Sequence, residues 1–386
     1  MARANKLICN IDLVTDNSLT TAERAQYKAE AKIFRAMVMF DMVRLWGDFP
    51  VITTVADDIT SENIDEVYPQ YFPKQNTELE AYQQIEKDLL DAVLYAPDNT
   101  PGNKTLFSKS VARTLLAKIY AEKPLRDYTK VIQYCDEVKA DGFDLVDDFS
   151  DLFGMNAAGT DAKMRNTKES ILEAQFTSGA GNWCTWMFGR DLVNWNNNFT
   201  WAKWVTPSRD LISAFKQEGD EVRFKESIVY YDCNWSNYYP SDNYPFMYKC
   251  RSANSSIIKY RYADVLLLKA EALIMQDTPD LEGAADIIDE VRDRAKLGAL
   301  PTSVRSNKNA MLNALLKERR LELAFEGQRW FDLVRLDKVE EVMNAVYAKD
   351  SGRKAQIYTF DKNSYRLPIP QSVIDANDKI HQNPGY

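Results

Sequence analysis

The sequence predicts a mainly α fold of irregular, tetratricopeptide-like helix pairs, interrupted by a loop-rich aromatic insert that carries short strands. Two observations predict it. Apolar side chains recur at helical spacing through the first and last thirds of the chain. Between them, residues 141–254 lose that period and hold six of the eight tryptophans. The expected organisation is one domain over residues 1–386. Residues 1–140 and 255–348 form its helical scaffold, 141–254 the aromatic ligand-binding region, and 349–386 a docked C-terminal tail. The helix pairs vary in length, so they make irregular units and not a regular solenoid.

In order along the chain, a short helix is expected near residues 2–14. Thr20 or Thr21 with Glu23 then opens a long one, whose buried stripe reads Ile33, Ala36, Met37, Phe40, Val43. Gly47 supplies its C-cap and Pro50 prevents continuation. After a long connection over 51–75, Thr77 caps a helix with Leu79, Tyr82, Ile85, Leu89 and Val93 on one face, stopped by Pro97. Residues 112–122 and 128–138 form a tighter pair broken at Pro124. The same layout returns at 262–275 with 281–295, and at 309–325 with 328–347. Strands are expected at 171–176, 228–231 and 246–250, with one isolated helix at 208–217.

The insert carries the functional expectation. Trp183, Trp186, Trp195, Trp201, Trp204 and Trp235 are interleaved with asparagines and a run of tyrosines. Flat aromatic faces beside amides and carboxylates suit a sugar ring, whose C–H face packs on an indole while its hydroxyls hydrogen-bond. The expected ligand-binding residues are Trp183, Trp186 and Trp195 as platform, Asn194, Asn196, Asn197 and Asp191 as polar partners, and Trp235, Tyr238 and Tyr239 as a second cluster. Trp201 and Trp204 are expected to pack beneath the helix at 208–217. Some of these rings must be local core, since tryptophan is on average largely buried.

Other classes are narrowed by composition. A net charge of −9 lacks the basic footprint of a nucleic-acid binder. The lone histidine, His381, leaves no Ser-His-Asp, Cys-His or H-E-x-x-H site. Five cysteines without C-x-x-C spacing give neither a zinc site nor a disulfide framework. The pairs Asp57-Asp58 and Asp147-Asp148 lack Ca²⁺-loop spacing and read as solvated. No metal, cofactor or catalytic residue is expected. Nor does a window of about 20 apolar residues exist to span a membrane.

The residues Ala29–Ala36 running through Phe40–Pro50, then Arg261–Leu267 with Glu271-Ala272, Val291–Ala295, Glu318–Leu333, and Leu367–Pro370 with Gln382–Tyr386 resemble, in order, the signatures of the SusD/RagB family. That resemblance implies a surface-exposed, outer-membrane lipoprotein of Bacteroidetes type that captures oligo- or polysaccharide without chemistry. It implies delivery to a SusC-like TonB-dependent transporter as partner. Peptide capture of RagB type is an alternative, and a glycoside hydrolase on a helical frame, using Asp191 and Asp210, is a further one. Met1 to Leu13 has no signal peptide, and Cys9, preceded by Lys6, Leu7 and Ile8, does not read as a lipidated cysteine. Membrane attachment would therefore run through an N-terminal lipid anchor absent from this sequence. Within the signatures, Arg319, Arg320, Glu322, Glu326, Arg329 and Asp332 are expected to staple helices through i, i+3 and i, i+4 pairs, with Trp46 and Trp330 in the core.

Overall fold

The computed structural model describes residues 1–177, 181–182, 206–233, 239–350 and 359–386. Over these the protein is mainly helical with a few short strands. The chain divides into two compact units. One comprises 1–99, 106–137 and 360–386, and the other 100–105 and 138–359.

In the first unit, the helix Thr21–Trp46 runs for 26 residues. A capping box opens it, with Thr20 accepting from the Glu23 amide while the Glu23 carboxylate accepts from the Thr20 amide. It stops at Gly47, whose φ of +73° suits glycine. Its buried stripe is Ile33, Ala36, Met39, Phe40 and Val43. Met39 takes the place expected for Met37, which is only half-buried. The helix Glu78–Tyr95 packs against it under a second capping box, Thr77 with Glu80. Phe40 meets Tyr82 edge to face at 6.2 Å. Leu79, in the first turn, faces solvent and leaves the face to Tyr82, Ile85 and Leu89. Arg35 and Asp88, both 3% exposed, join these helices through two parallel bonds of 2.8 and 2.7 Å. The same guanidinium donates to Asn5 of the helix Ala2–Asn10 and to the Thr53 carbonyl. The C-terminal residues fold onto the end of the long helix. Leu367 donates to the Leu45 carbonyl, Asn383 to that of Trp46, and Arg366 pairs with Glu78 at 2.6 Å.

The second unit is built around the helix Tyr262–Met275, which is apolar on nearly every side and buried over almost its whole length. Leu281–Arg294 and Lys308–Glu322 pack against it. The stretch expected as one helix over 328–347 is two, Arg329–Arg335 and Val339–Lys349. Asp337 breaks it at φ +55°, and Lys338 donates back to the Leu333 carbonyl. Two antiparallel ribbons complete the unit. Ser170–Ala174 pairs with Ile257–Arg261, and Ile228–Tyr231 with Tyr244–Met247. The strand Ile257–Arg261 and the helix Glu221–Ser227 are additions to the sequence reading, and the third expected strand lies a few residues earlier than its predicted span. No helix among the described residues is long and apolar enough to cross a membrane.

Candidate functional site

The second unit contains a buried cluster of charges. Glu322, the last residue of Lys308–Glu322, is fully buried. It accepts from Arg261 at 2.5 Å, from Arg223 at 3.0 Å, and from Arg294. Glu169 bridges Arg261 and Arg294 at 2.7 and 2.9 Å. Glu326 joins Arg261 to Lys249. Burial alone would raise the Glu322 carboxyl, but the charges of Arg294, Arg261, Arg223 and Lys249 outweigh it and hold the group well below the carboxylate range. The same burial brings the Lys249 ammonium down to about 8, against the pull of Glu326.

A second cluster lies alongside. Arg319 grips Asp332 with two bonds and reaches Asp264 at 2.8 Å, while Arg335 grips Glu271 and shares Asp332. Most of the signature charges thus pair across different elements, and Asp332 with Arg335 is the i, i+3 pair along one helix. The tertiary fold brings Glu322 to three arginines from distant segments, where burial strengthens the attraction at a cost in desolvation and makes loss of one partner expensive. Trp46 and Trp330 are half-buried, not core.

Hydrogen bonds hold the described residues on either side of 183–205. Upstream, the Asn182 amide donates to the Ala253 carbonyl at 2.5 Å, and its side chain to the Ser255 carbonyl at 3.0 Å and the Cys250 sulfur at 3.1 Å. A Cβ on Gly181 would meet that of Ala253 at 3.1 Å, so the close approach favours glycine. Downstream, the Thr206 hydroxyl bonds the Tyr244 hydroxyl, and Ser208 caps the helix Arg209–Glu218. Arg251, whose guanidinium lies 3.6 Å from the Tyr248 ring and pairs with Glu226, holds the strand end between these stems.

Of the expected ligand-binding residues, Trp183, Trp186, Asp191, Asn194, Trp195, Asn196, Asn197, Trp235 and Tyr238 lie outside the described residues, as do Trp201 and Trp204. Tyr239 is described. Its hydroxyl donates to the Pro207 carbonyl at 2.8 Å, its ring meets Tyr244 edge to face, and the Arg209 guanidinium sits 4.8 Å from its centre. It is half-buried and braces the downstream stem. Nearby, Tyr231 and Asp232 are exposed at the end of their ribbon. The charge clusters were absent from the sequence reading as a site support. Arg223 has one local partner, Asp220, but its other acidic partners and those of Arg261 lie 61 to 99 residues away.

A cleft of about 680 Å³ runs between Arg209–Glu218 and Val339–Lys349. Asp210, named for a hydrolase, lines it and is bonded to Arg320 at 2.6 Å.

Two family models match the chain. One, described as SusD family, takes in residues 242–386, and the other, described as starch-binding associating with outer membrane, residues 1–121. Together they cover more than half of the sequence, at opposite ends of it. The chain belongs to the SusD/RagB family. Among SusD-like relatives, the SusD-like protein P2 of Formosa agariphila is 28% identical, over 99% of this chain and 78% of that protein. A solved laminarin binding SusD-like protein is 24% identical with a TM-score of 0.74, covering 100% of this chain and 83% of that one. The surface glycan-binding protein A of Bacteroides thetaiotaomicron, solved with laminarihexaose, is 19% identical with a TM-score of 0.74, covering 99% and 82%. These solved SusD-like proteins establish a shared fold.

Proposed function

We propose that this SusD-like protein captures oligo- or polysaccharide at the outer surface of the outer membrane, without chemistry, and passes it to a SusC-like TonB-dependent transporter. The observation that carries the reading is the sequence 183–205, rich in indoles and amides, whose described neighbours Asn182 and Thr206 are each hydrogen-bonded into the second unit. Trp183, Trp186 and Trp195 would supply stacking faces, each worth on the order of 1 kcal/mol beyond burial. Asp191, Asn194, Asn196 and Asn197 would take hydroxyls, and Trp235 with Tyr238 and Tyr239 would form the second cluster. The laminarin and laminarihexaose ligands of the structural relatives, and the starch-binding description of the N-terminal family, support a glycan as ligand.

A glycan array probed with the whole chain tests this, with β-glucan and starch-type oligosaccharides included. Binding to at least one glycan class is expected, with no new reducing ends after prolonged incubation. New reducing ends would make the protein a hydrolase, and an array without signal would remove the glycan reading.

A further inference from the structure

A cavity of about 450 Å³ adjoins the cleft between Arg209–Glu218 and Val339–Lys349, sharing Arg320, Val342 and Val346 with it, and is within the size range of small-molecule sites. Its walls are mostly apolar, with Phe325, Trp330, Met343 and Tyr347 half-buried around it, and two guanidinium groups, Arg320 and Arg329, reach its lining. The two differ in one respect. Arg320 is bonded to the Asp210 carboxylate. Arg329 has no carboxylate within ion-pair distance among the described residues, and its one hydrogen bond is to the Leu316 carbonyl at 2.8 Å. Neighbouring signature arginines, Arg319 and Arg335, are each gripped by at least two acidic groups. Burial brings the Arg329 guanidinium down to about 10, and Arg320 and Arg319 push the same way against Asp332. It is still a cation at neutral pH.

A half-buried cation beside an apolar wall is costly unless an anion completes it. A guanidinium also presents a planar fork that matches a carboxylate. Among the described residues of the lining, Ser208 and Tyr347 carry the only neutral side-chain hydroxyls. We propose that this cavity binds a carboxylate attached to an apolar body, the acid on Arg329 and the body against Trp330, Phe325 and Met343. Such a group occurs as a free small acid or as the terminal carboxylate of a peptide ending in an apolar residue. The proposal is independent of glycan capture.

Calorimetric titration of the whole chain with 3-phenylpropionate, its amide, glycyl-glycyl-phenylalanine and that tripeptide's C-terminal amide tests it. Both acids are expected to bind, and each amide to bind at least about tenfold more weakly, the worth of one charge-assisted bond. The tighter of the two acids identifies the source. Arg329→Gln should weaken the acids to the level of the amides, and Met343→Glu should abolish their binding by placing a carboxylate inside. Arg329→Met should melt no earlier than the parent protein. Equal binding of acid and amide, no binding of either acid at millimolar concentration, or unchanged affinity in Arg329→Gln would overturn the site. The acid–amide comparison needs no variant, so a misfolded mutant does not rescue the idea.

Discussion

Glu322→Ala is expected to destabilise the second unit by about 3–5 kcal/mol, the cost of removing one partner from a buried ion cluster. The carboxylate has no exposure and accepts from Arg223, Arg261 and Arg294. Its loss leaves the repulsion among those guanidinium groups less compensated, with Asp220, Glu318, Glu169 and Glu326 as the remaining partners among the described residues. Total stabilities of folded proteins are of the order of 5–15 kcal/mol, so the unit would be close to unfolding. The pH dependence has a definite sign. In the unfolded chain Glu322 titrates near its ordinary 4.5, while in the folded protein it stays ionised below that. The unfolded state therefore takes up a proton that the folded state refuses. Stability from this group is complete above pH 4.5 and drains away as the pH falls. Glu322→Gln should remove that part of the acid sensitivity along with much of the stability. Hydrogen exchange of amides in Tyr262–Met275, followed from pH 7 to pH 3, reads both effects. Protection equal to the parent protein in Glu322→Ala would show that the cluster is not what holds this unit.

Asp88→Ala should cost a similar amount, about 3–5 kcal/mol, in the first unit. Arg35 would keep its bonds to Asn5 and Thr53 but lose both carboxylate oxygens in a site where it is 3% exposed. Asp88→Asn should fall between, since an amide can still accept one bond without the charge. Replacing both partners together, Arg35→Met with Asp88→Leu, should recover most of the loss because no orphaned charge remains. The readout is exchange protection in Glu78–Tyr95, which reports on this unit without assuming that the whole chain unfolds in one step. A double variant less stable than Asp88→Ala would contradict the assignment.

The long helices were legible because their signals are local. Thr20 with Glu23 and Thr77 with Glu80 write their own caps, and Ile33, Ala36, Phe40 and Val43 repeat at helical spacing. Elements that depend on distant partners were not. The strand Ile257–Arg261 exists through pairing with Ser170–Ala174, and the break at Asp337 through a left-handed residue that is not glycine. Leu79 shows the limit of periodicity, since the first turn of its helix overhangs the packed face. For the site, residue types were readable and the supports were not. Nothing near Arg261 in sequence announces that Glu169, Glu322 and Glu326 surround it. Tyr239, grouped by sequence with a platform, has its hydroxyl and one ring face engaged by Pro207 and Arg209.

If Trp183 and Trp195 stack on sugar, removing their rings must weaken glycan binding without unfolding the protein. Affinity electrophoresis in gels containing the best glycan from the array tests it most directly, comparing the parent protein with Trp183→Ala, Trp195→Ala and the double variant, each melted in parallel. Retardation is expected to fall in each single variant and vanish in the double, while melting temperatures stay near the parent value. Variants that melt early yet migrate like the parent protein would mean that these rings are core, and that the glycan, if bound, is held elsewhere.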